Sequence, residues 1–425
     1  MTIKKLEKLY LISTIPFIAI ALTPLLLRTV NVYLIGILFL LSLFFSFWIR
    51  FKKRGNYLFA TDILAFFLCF IVFFYWLIKK SPCSIGNVLG RIIIILLLVF
   101  SSNSLSCSNK TKRILVYAFF AISLFNMADN IRLNILYPNA SEYLNFEWGT
   151  VYLSMNVGDT IFVFSSSIFC LICFYYFLFS DRKKVIWFVA FLVALIFIVL
   201  SSRALSLITA ALGFVILILL RISLFAKKKS RIALYFLFFF ILFFVLFLIP
   251  PLLRTISNYT NERLSDRLLD LASILEFKFD SSSSDSSGFS RIHLYFLSIN
   301  TFFRNPLNFL IGIGQYPSDV DTLIANGIGG HSAILDFLPQ YGVVGFIPMF
   351  LLIILIFKNH LKSCRCNTTL LKLIFSLFIV NAVFNNVFSY QCVMLVFIYV
   401  PMISSFRPKG LERIDRYAIY QIKNA

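Results

Sequence analysis

The chain has 425 residues, of which 60% are hydrophobic and 13% charged, and it carries a formal net charge of +21. Ordinary soluble domains are roughly 45–50% apolar and about 25% charged, so this composition excludes a soluble globular protein. At about 20 residues per crossing there is apolar material for at most about a dozen membrane spans, which leaves little for a soluble domain.

In chain order, apolar runs long enough to span fall at residues 9–27, 31–49, 57–77, 91–106, 114–129, 159–179, 185–201, 205–220 and 232–249, and then at 341–357, 368–386 and 388–405. The first follows Lys4, Lys5 and Lys8 like the start of a signal peptide. Its apolar stretch is too long and no small-residue cleavage pattern closes it, so it reads as a retained anchor. The 52 Phe against 4 Trp suit lipid-facing and helix-packing surface.

Placing the basic residues gives the orientation. With the N-terminus inside, Lys and Arg crowd the inside segments: the N-terminal tail, Arg50 to Arg54, Lys110 to Arg113, Arg182 to Lys184, Arg221 to Arg231, Lys358 to Arg365 and the C-terminal tail. The short outside connections hold only Arg28, Lys79, Lys80, Arg132 and Arg203. The positive-inside rule selects this arrangement, and the basicity becomes a topology signal with no nucleic-acid partner implied.

These spans divide the chain into residues 1–249 with helices 1–9, a large outer loop at 250–340, helices 10–12 at 341–406, and an inside tail at 407–425. The loop opens with Pro250-Pro251, and Leu252 to Lys278 follows as an amphipathic helix. Ser281 to Ser287 is a serine-rich break, and Ser290 to Phe303 resumes a helical pattern ended by Asn305-Pro306. Phe296 to Phe303 is aromatic enough to dip back into the bilayer. Gly312-x-Gly314 and Asn326 to Gly330 are glycine turns. Cys69, Cys170, Cys173 and Cys392 lie in spans, Cys364 and Cys366 face inside, and Cys83 faces outside, so no structural disulfide is expected.

Three outer features could do chemistry. Arg203, in Ser-Ser-Arg-Ala between two spans, calls for a bound anion, an acidic partner or snorkelling to the interface. Arg291 heads a stretch running through Arg304-Asn305-Pro306 to Gly312 and Gly314, and a guanidinium fork matches phosphate oxygens bidentately. Third, His331 follows Gly329-Gly330 and precedes Asp336 and the Gly342-x-x-Gly345 that opens a span. Gly330 admits close approach of a substrate, and histidine can accept a hydroxyl proton near neutral pH.

Taken together, Ser202-Arg203, Glu262-Arg263-Leu264, Arg291-x-x-x-Tyr295, Asn305-Pro306 with Gly312-x-Gly314, and His331-Ser332 with the later Gly342-x-x-Gly345 resemble the bacterial O-antigen polymerase and O-antigen ligase superfamily. The likeness is in the second half of the chain, and Ser332 stands where that family often has Asn. It implies an all-α polytopic integral membrane protein of about twelve transmembrane helices with one large periplasmic loop, in the bacterial inner membrane. It also implies an inverting, metal-independent glycosyltransferase with no cofactor, whose partners are an undecaprenyl-diphosphate-linked oligosaccharide, the lipid bilayer, a chain-length regulator and a flippase. By the resemblance, Arg203 and Arg291 hold the lipid diphosphate with Arg263 as a weaker contact. His331 activates the acceptor hydroxyl, with Asp336, Gly330, Gly312 and Gly314 in support. Polymerase and ligase would use the same donor end and nearly the same residues.

Two rival readings come from other classes. Asp319-Val320-Asp321 matches the Asp-x-Asp of metal-dependent glycosyltransferases, but three-residue matches are common by chance and a solvated turn is the preferred reading. A flippase could use an arginine-lined cavity, but Asp62 and Asp159 sit near span ends, and no row of ionisable residues crosses the bilayer as a relay requires.

Overall fold

The computed structural model describes residues 2–54, 59–78, 84–137, 150–180, 183–201, 203–225, isolated positions between 251 and 272, 287–314, 316, 320–364 and 368–406. Among them the secondary structure is helical, with no strand. In order the helices are α1 (Ile3–Leu22), α2 (Pro24–Thr29), α3 (Val32–Arg54), α4 (Ala60–Ile78), α5 (Ile85–Ser104), α6 (Asn109–Leu136), α7 (Thr150–Leu153), α8 (Thr160–Phe179), α9 (Lys184–Leu200) and α10 (Ala204–Phe225). After these come α11 (Ser287–Phe303), α12 (Pro306–Ile311), α13 (Val320–Ala325), α14 (Phe337–Ser363), α15 (Thr368–Phe384) and α16 (Tyr390–Ser404).

Six of these, α3, α4, α5, α6, α8 and α14, are long and apolar enough to cross a membrane by length and composition. α9, α15, α16 and residues Ser206–Ile222 of α10 are shorter apolar helices. The chain is thus an all-α protein with several membrane-type helices. The apolar run at 232–249, the proposed amphipathic helix at 252–278 for most of its length, and Arg263 lie outside the described residues.

Side chains that satisfy the first free amides start these helices where they do. Ser84, Ser108, Asp159, Asn305 and Ser389 each accept the backbone N–H three residues on. α8 lies at the centre, with 78% of its most apolar stretch buried against 28% for α3, whose Ile37, Leu40, Leu41 and Phe44 face outward. α8 packs on α9 and α10, and α1 packs on α3 and α6. α16 contains a π-helical stretch, Met394–Tyr399, just before Pro401, which has no N–H to offer.

The two ends of the bundle differ. At the end where α3 finishes and α4 begins, Arg50 and Asp62 are both buried and pair bidentately, Nη2 to Oδ2 at 2.7 Å and Nη1 to Oδ1 at 3.2 Å. Nearby, Glu7 accepts from Lys53 Nζ at 2.9 Å, from Ser108 N at 2.8 Å and from Thr111 Oγ1 at 2.9 Å, tying α1 to α3 and α6. The other end, where α5, α8, α14 and α16 begin, carries α11 to α13 and the candidate site.

Candidate functional site

The site is assembled from two glycine motifs that meet backbone to backbone. α12 stops at Gly312, whose φ of +69° is open to glycine and costly for other residues. Beyond it the chain runs alongside the start of α14: Ile313 N donates to Pro339 O at 2.7 Å and Gly314 N to Gln340 O at 3.1 Å. α14 is broken at Gly342, at φ +58° and ψ −166°. A Cβ there would lie 2.6 Å from Gly312 N and would also overlap the Leu310 carbonyl. This pairing leads the chain to Tyr316, whose carbonyl accepts from Arg91 Nη2 at 3.1 Å. Arg91 Nη1 donates to Gln340 Oε1 at 2.7 Å and to Tyr341 Oη at 2.9 Å. One guanidinium on α5 therefore gathers three points of the C-terminal half.

The loop before α14 is held by a buried carboxylate. Asp336 accepts the Ser298 hydroxyl from α11 at 2.6 Å and Ser332 N at 2.8 Å, and the N–H groups of Gly329 and Gly330 also point to it. Burial pushes the Asp336 carboxyl above its ordinary value, and these donors pull it part of the way back. The loop also docks on the end of α15: Ala333 N donates to Asn385 O at 3.0 Å and Ile334 N to Ala382 O at 3.0 Å. His331 sits in this loop, partly buried, directly after Gly330 at φ +76°.

Between α5 and this loop lies a cavity of about 390 Å³. Its lining combines polar residues, Asn87, Arg91, Gln340, Asp336, Asn386 and Tyr390, with apolar ones, Val32, Val72, Ile94, Ile95, Met349 and Phe388. Gly90 keeps the α5 wall thin, since a Cβ there would come within 3.2 Å of the Tyr390 hydroxyl, which donates to Gly90 O at 3.3 Å. A cation, amides and phenols together with aliphatic side chains suit an amphiphile whose polar part bears both anionic oxygens and hydroxyls.

Of the residues singled out from the sequence, Gly330 and Asp336 line this cavity, along with Ser332, while Gly312 and Gly314 belong to the backbone turn that pairs with Pro339 and with Gln340, itself a lining residue. His331 is flanked by two lining residues but is not itself among the lining. Asp336 engages the backbone of the His331 loop. Arg291 falls in the first turns of α11, and Asp321 in the first turn of α13. Arg263 and Asp319 are outside the described residues. Arg203 lies elsewhere, at the start of α10, where it and Arg28 both act electrostatically on Asp159. An acidic partner for Arg203 is therefore present. Arg28 is itself anchored on the Met155 carbonyl at 3.2 Å and the Val157 carbonyl at 2.5 Å.

Among the polar lining residues, Asn87, Arg91, Asn386 and Tyr390 were not singled out from the sequence. For Arg91 a signal existed: an arginine within the run Ile85 to Phe100 is a charge in an apolar helix, and such a charge marks a functional site by default. No family model and no curated protein matches the chain.

Proposed function

We propose that the chain is an inner-membrane glycosyltransferase that polymerises undecaprenyl-diphosphate-linked repeat units at the periplasmic face. The observation that carries the reading is the cavity whose lining holds the Arg91 guanidinium, amides and phenols together with Gly330 and Ser332, the neighbours of His331, in a loop bonded to Asp336. Together with the motif resemblance, this supplies the groups that the reaction requires.

In that reaction a hydroxyl of the incoming lipid-linked unit attacks the anomeric carbon of the growing chain. The bond to undecaprenyl diphosphate breaks as the new glycosidic bond forms, and the configuration inverts. The diphosphate leaves with the electron pair, so cations must meet its developing charge; Arg91 is assigned this role by its place in the cavity, and Arg291, with Arg263 more weakly, by resemblance, whereas the Arg203 of the resemblance lies off the cavity beside Asp159. His331 takes the hydroxyl proton. With about twelve spans and the N-terminus inside, the 250–340 loop folds over the outer ends of the helices. The transporter reading loses ground because Asp62 is locked by Arg50 and Asp159 faces two arginines, arrangements that suit fixed structural charges.

The test is purified protein in proteoliposomes supplied with lipid-linked repeat unit alone, in EDTA. A lengthening ladder of lipid-linked products supports the polymerase. Product that forms only after lipid A core is added assigns the chain as the ligase, and no product under either condition sinks the glycosyltransferase reading.

A further inference from the structure

The elbow between α11 and α12 has its large apolar side chains on the wrong side for a loop in water. Ser298, fully buried, turns inward to Asp336 and Gly329, while Phe296, Phe303, Leu307, Phe309 and Leu310 are 39–65% exposed. The elbow is nonetheless well built. Asn305 caps α12, Asn308 Nδ2 donates to Thr301 O at 3.2 Å, and Phe302 wedges against Phe303 and Phe309 with ring centroids 4.8 and 5.0 Å apart. A rigid apolar patch of this size, outside the core, marks a contact surface.

What covers it follows from its neighbour. α12 rests on α14 through the backbone contact of Leu310 and Gly312 with Gly342. Two residues beyond Gly342 begins the outward stripe of α14: Val344, Ile347, Phe350 and Leu351, each 40–50% exposed. α14 is one of the six helices long and apolar enough, by length and composition, to cross a membrane, and its exposed stripe begins two residues from the glycine against which α12 rests. The polar members of the elbow fall where an interface would place them. Arg304 and Asn305 are exposed at the bend, and His293 and Asn300 share the outer stripe of α11 with Phe296 and Phe303. An arginine can keep its head among lipid headgroups while its stem lies along apolar surface.

We propose that the α11–α12 elbow is seated in the outer part of the lipid bilayer, with Phe303, Leu307, Phe309 and Leu310 among the acyl chains and His293 and Asn300 at headgroup level. This rests on the membrane-type helices and is independent of any glycosyl transfer. It has a consequence for the cavity. Ile313 and Gly314, which follow the elbow, bond to Pro339 and Gln340, and Arg91 holds both Gln340 and the Tyr316 carbonyl, so lipid contact at the elbow sets the Arg91 end of the cavity near the headgroup layer.

The full chain is placed in nanodiscs of phosphatidylethanolamine and phosphatidylglycerol with the fluorescent amino acid acridonylalanine at position 307, 309 or 300. Acyl chains brominated near their carbonyl end should roughly halve emission from 307 and 309, with a smaller effect at 300, and aqueous iodide should act in the reverse order. Two results overturn the proposal: iodide quenching at 307 and 309 at least equal to that at 300, or protection of both positions from bromine and iodide alike, which would mean that another part of the chain, such as 232–249, covers the patch. Using two exposed positions, each checked for unaltered elution, keeps the outcome clear of a folding defect at either one.

Discussion

Ser298 donates its hydroxyl proton to Asp336 Oδ1 at 2.6 Å, and its oxygen accepts the Gly329 amide at 2.8 Å. A single buried hydroxyl therefore links α11, the first residue before α14 and the Gly-Gly ahead of His331. Ser298→Ala removes a donor and an acceptor where water cannot replace them, and should cost about 1–3 kcal/mol. The readout is thermal unfolding in detergent together with hydrogen exchange at Gly329 to Ser332. An unchanged midpoint and unchanged exchange would show that the clamp contributes nothing.

The same carboxylate gives a pH dependence with a definite sign. Burial raises Asp336 above its ordinary value of 3.8, so the folded protein holds this proton more tightly than the unfolded chain does. The contribution to stability is greatest below 3.8 and declines as pH rises from there to the raised value. Asp336→Asn should remove that decline. Other carboxylates titrate alike in both proteins and cancel in the difference between them. A wild-type stability that rises relative to Asp336→Asn across the same interval would contradict the direction.

Arg91→Lys keeps the charge but loses the planar fork that reaches Gln340 Oε1, Tyr341 Oη and Tyr316 O together. Under the polymerase reading, ladder formation should fall by about tenfold or more, which corresponds to roughly 1.4 kcal/mol of lost transition-state binding. Arg91→Lys turning over at the wild-type rate removes this residue from the site.

The buried Arg50–Asp62 pair should behave as a structural lock. Asp62 also accepts Phe59 N at 2.8 Å, and the Arg50 guanidinium lies 4.7 Å from the Phe59 ring centroid. Asp62→Asn strands a buried guanidinium and should cost about 3–5 kcal/mol, whereas removing both charges together with Arg50→Met and Asp62→Leu should cost less. The two unfolding midpoints decide it; a double variant as unstable as the single one would mean that the pair does more than offset its own burial.

How far the sequence alone could lead is visible in particular residues. The apolar run at 159–179 became α8 nearly residue for residue, because a continuous run with a capping Asp159 admits one reading. The run at 114–129 became the longer α6, Asn109–Leu136, since Asn126, Asn130 and Asn134 bond to the carbonyls of their own helix or its neighbours and so need not end it. The Gly-Gly-His loop could be singled out by its glycines, but not the way Asp336 grips it, which depends on Ser298, 38 positions away. Arg91 stands out as a charge in an apolar run, but its partners do not, since Gln340 and Tyr341 are 249 and 250 positions along the chain. Local spacing reveals helices and turns, whereas a cavity wall is made by residues that only the packing brings together.

That packing is exacting at Gly342, which offers a matched comparison. Gly342 has φ +58°, and a Cβ on it would overlap the Leu310 carbonyl and lie 2.6 Å from Gly312 N, both of them backbone atoms that cannot swing aside. Gly342→Ala should therefore destabilise by about 1–3 kcal/mol from the backbone conformation alone, with the overlap adding to it. Gly36, in the second turn of α3, is the control: a Cβ there meets only Ile93 Cδ1 at 3.8 Å. Gly36→Ala should stabilise by about 0.5–1 kcal/mol, because alanine loses less freedom than glycine on entering a helix. Unfolding midpoints of the two variants should thus move in opposite directions. If Gly342→Ala is as stable as the wild type, the backbone contact between the two glycine motifs is not what seats α12 on α14, and the path from the elbow to Arg91 would have to be held by other contacts.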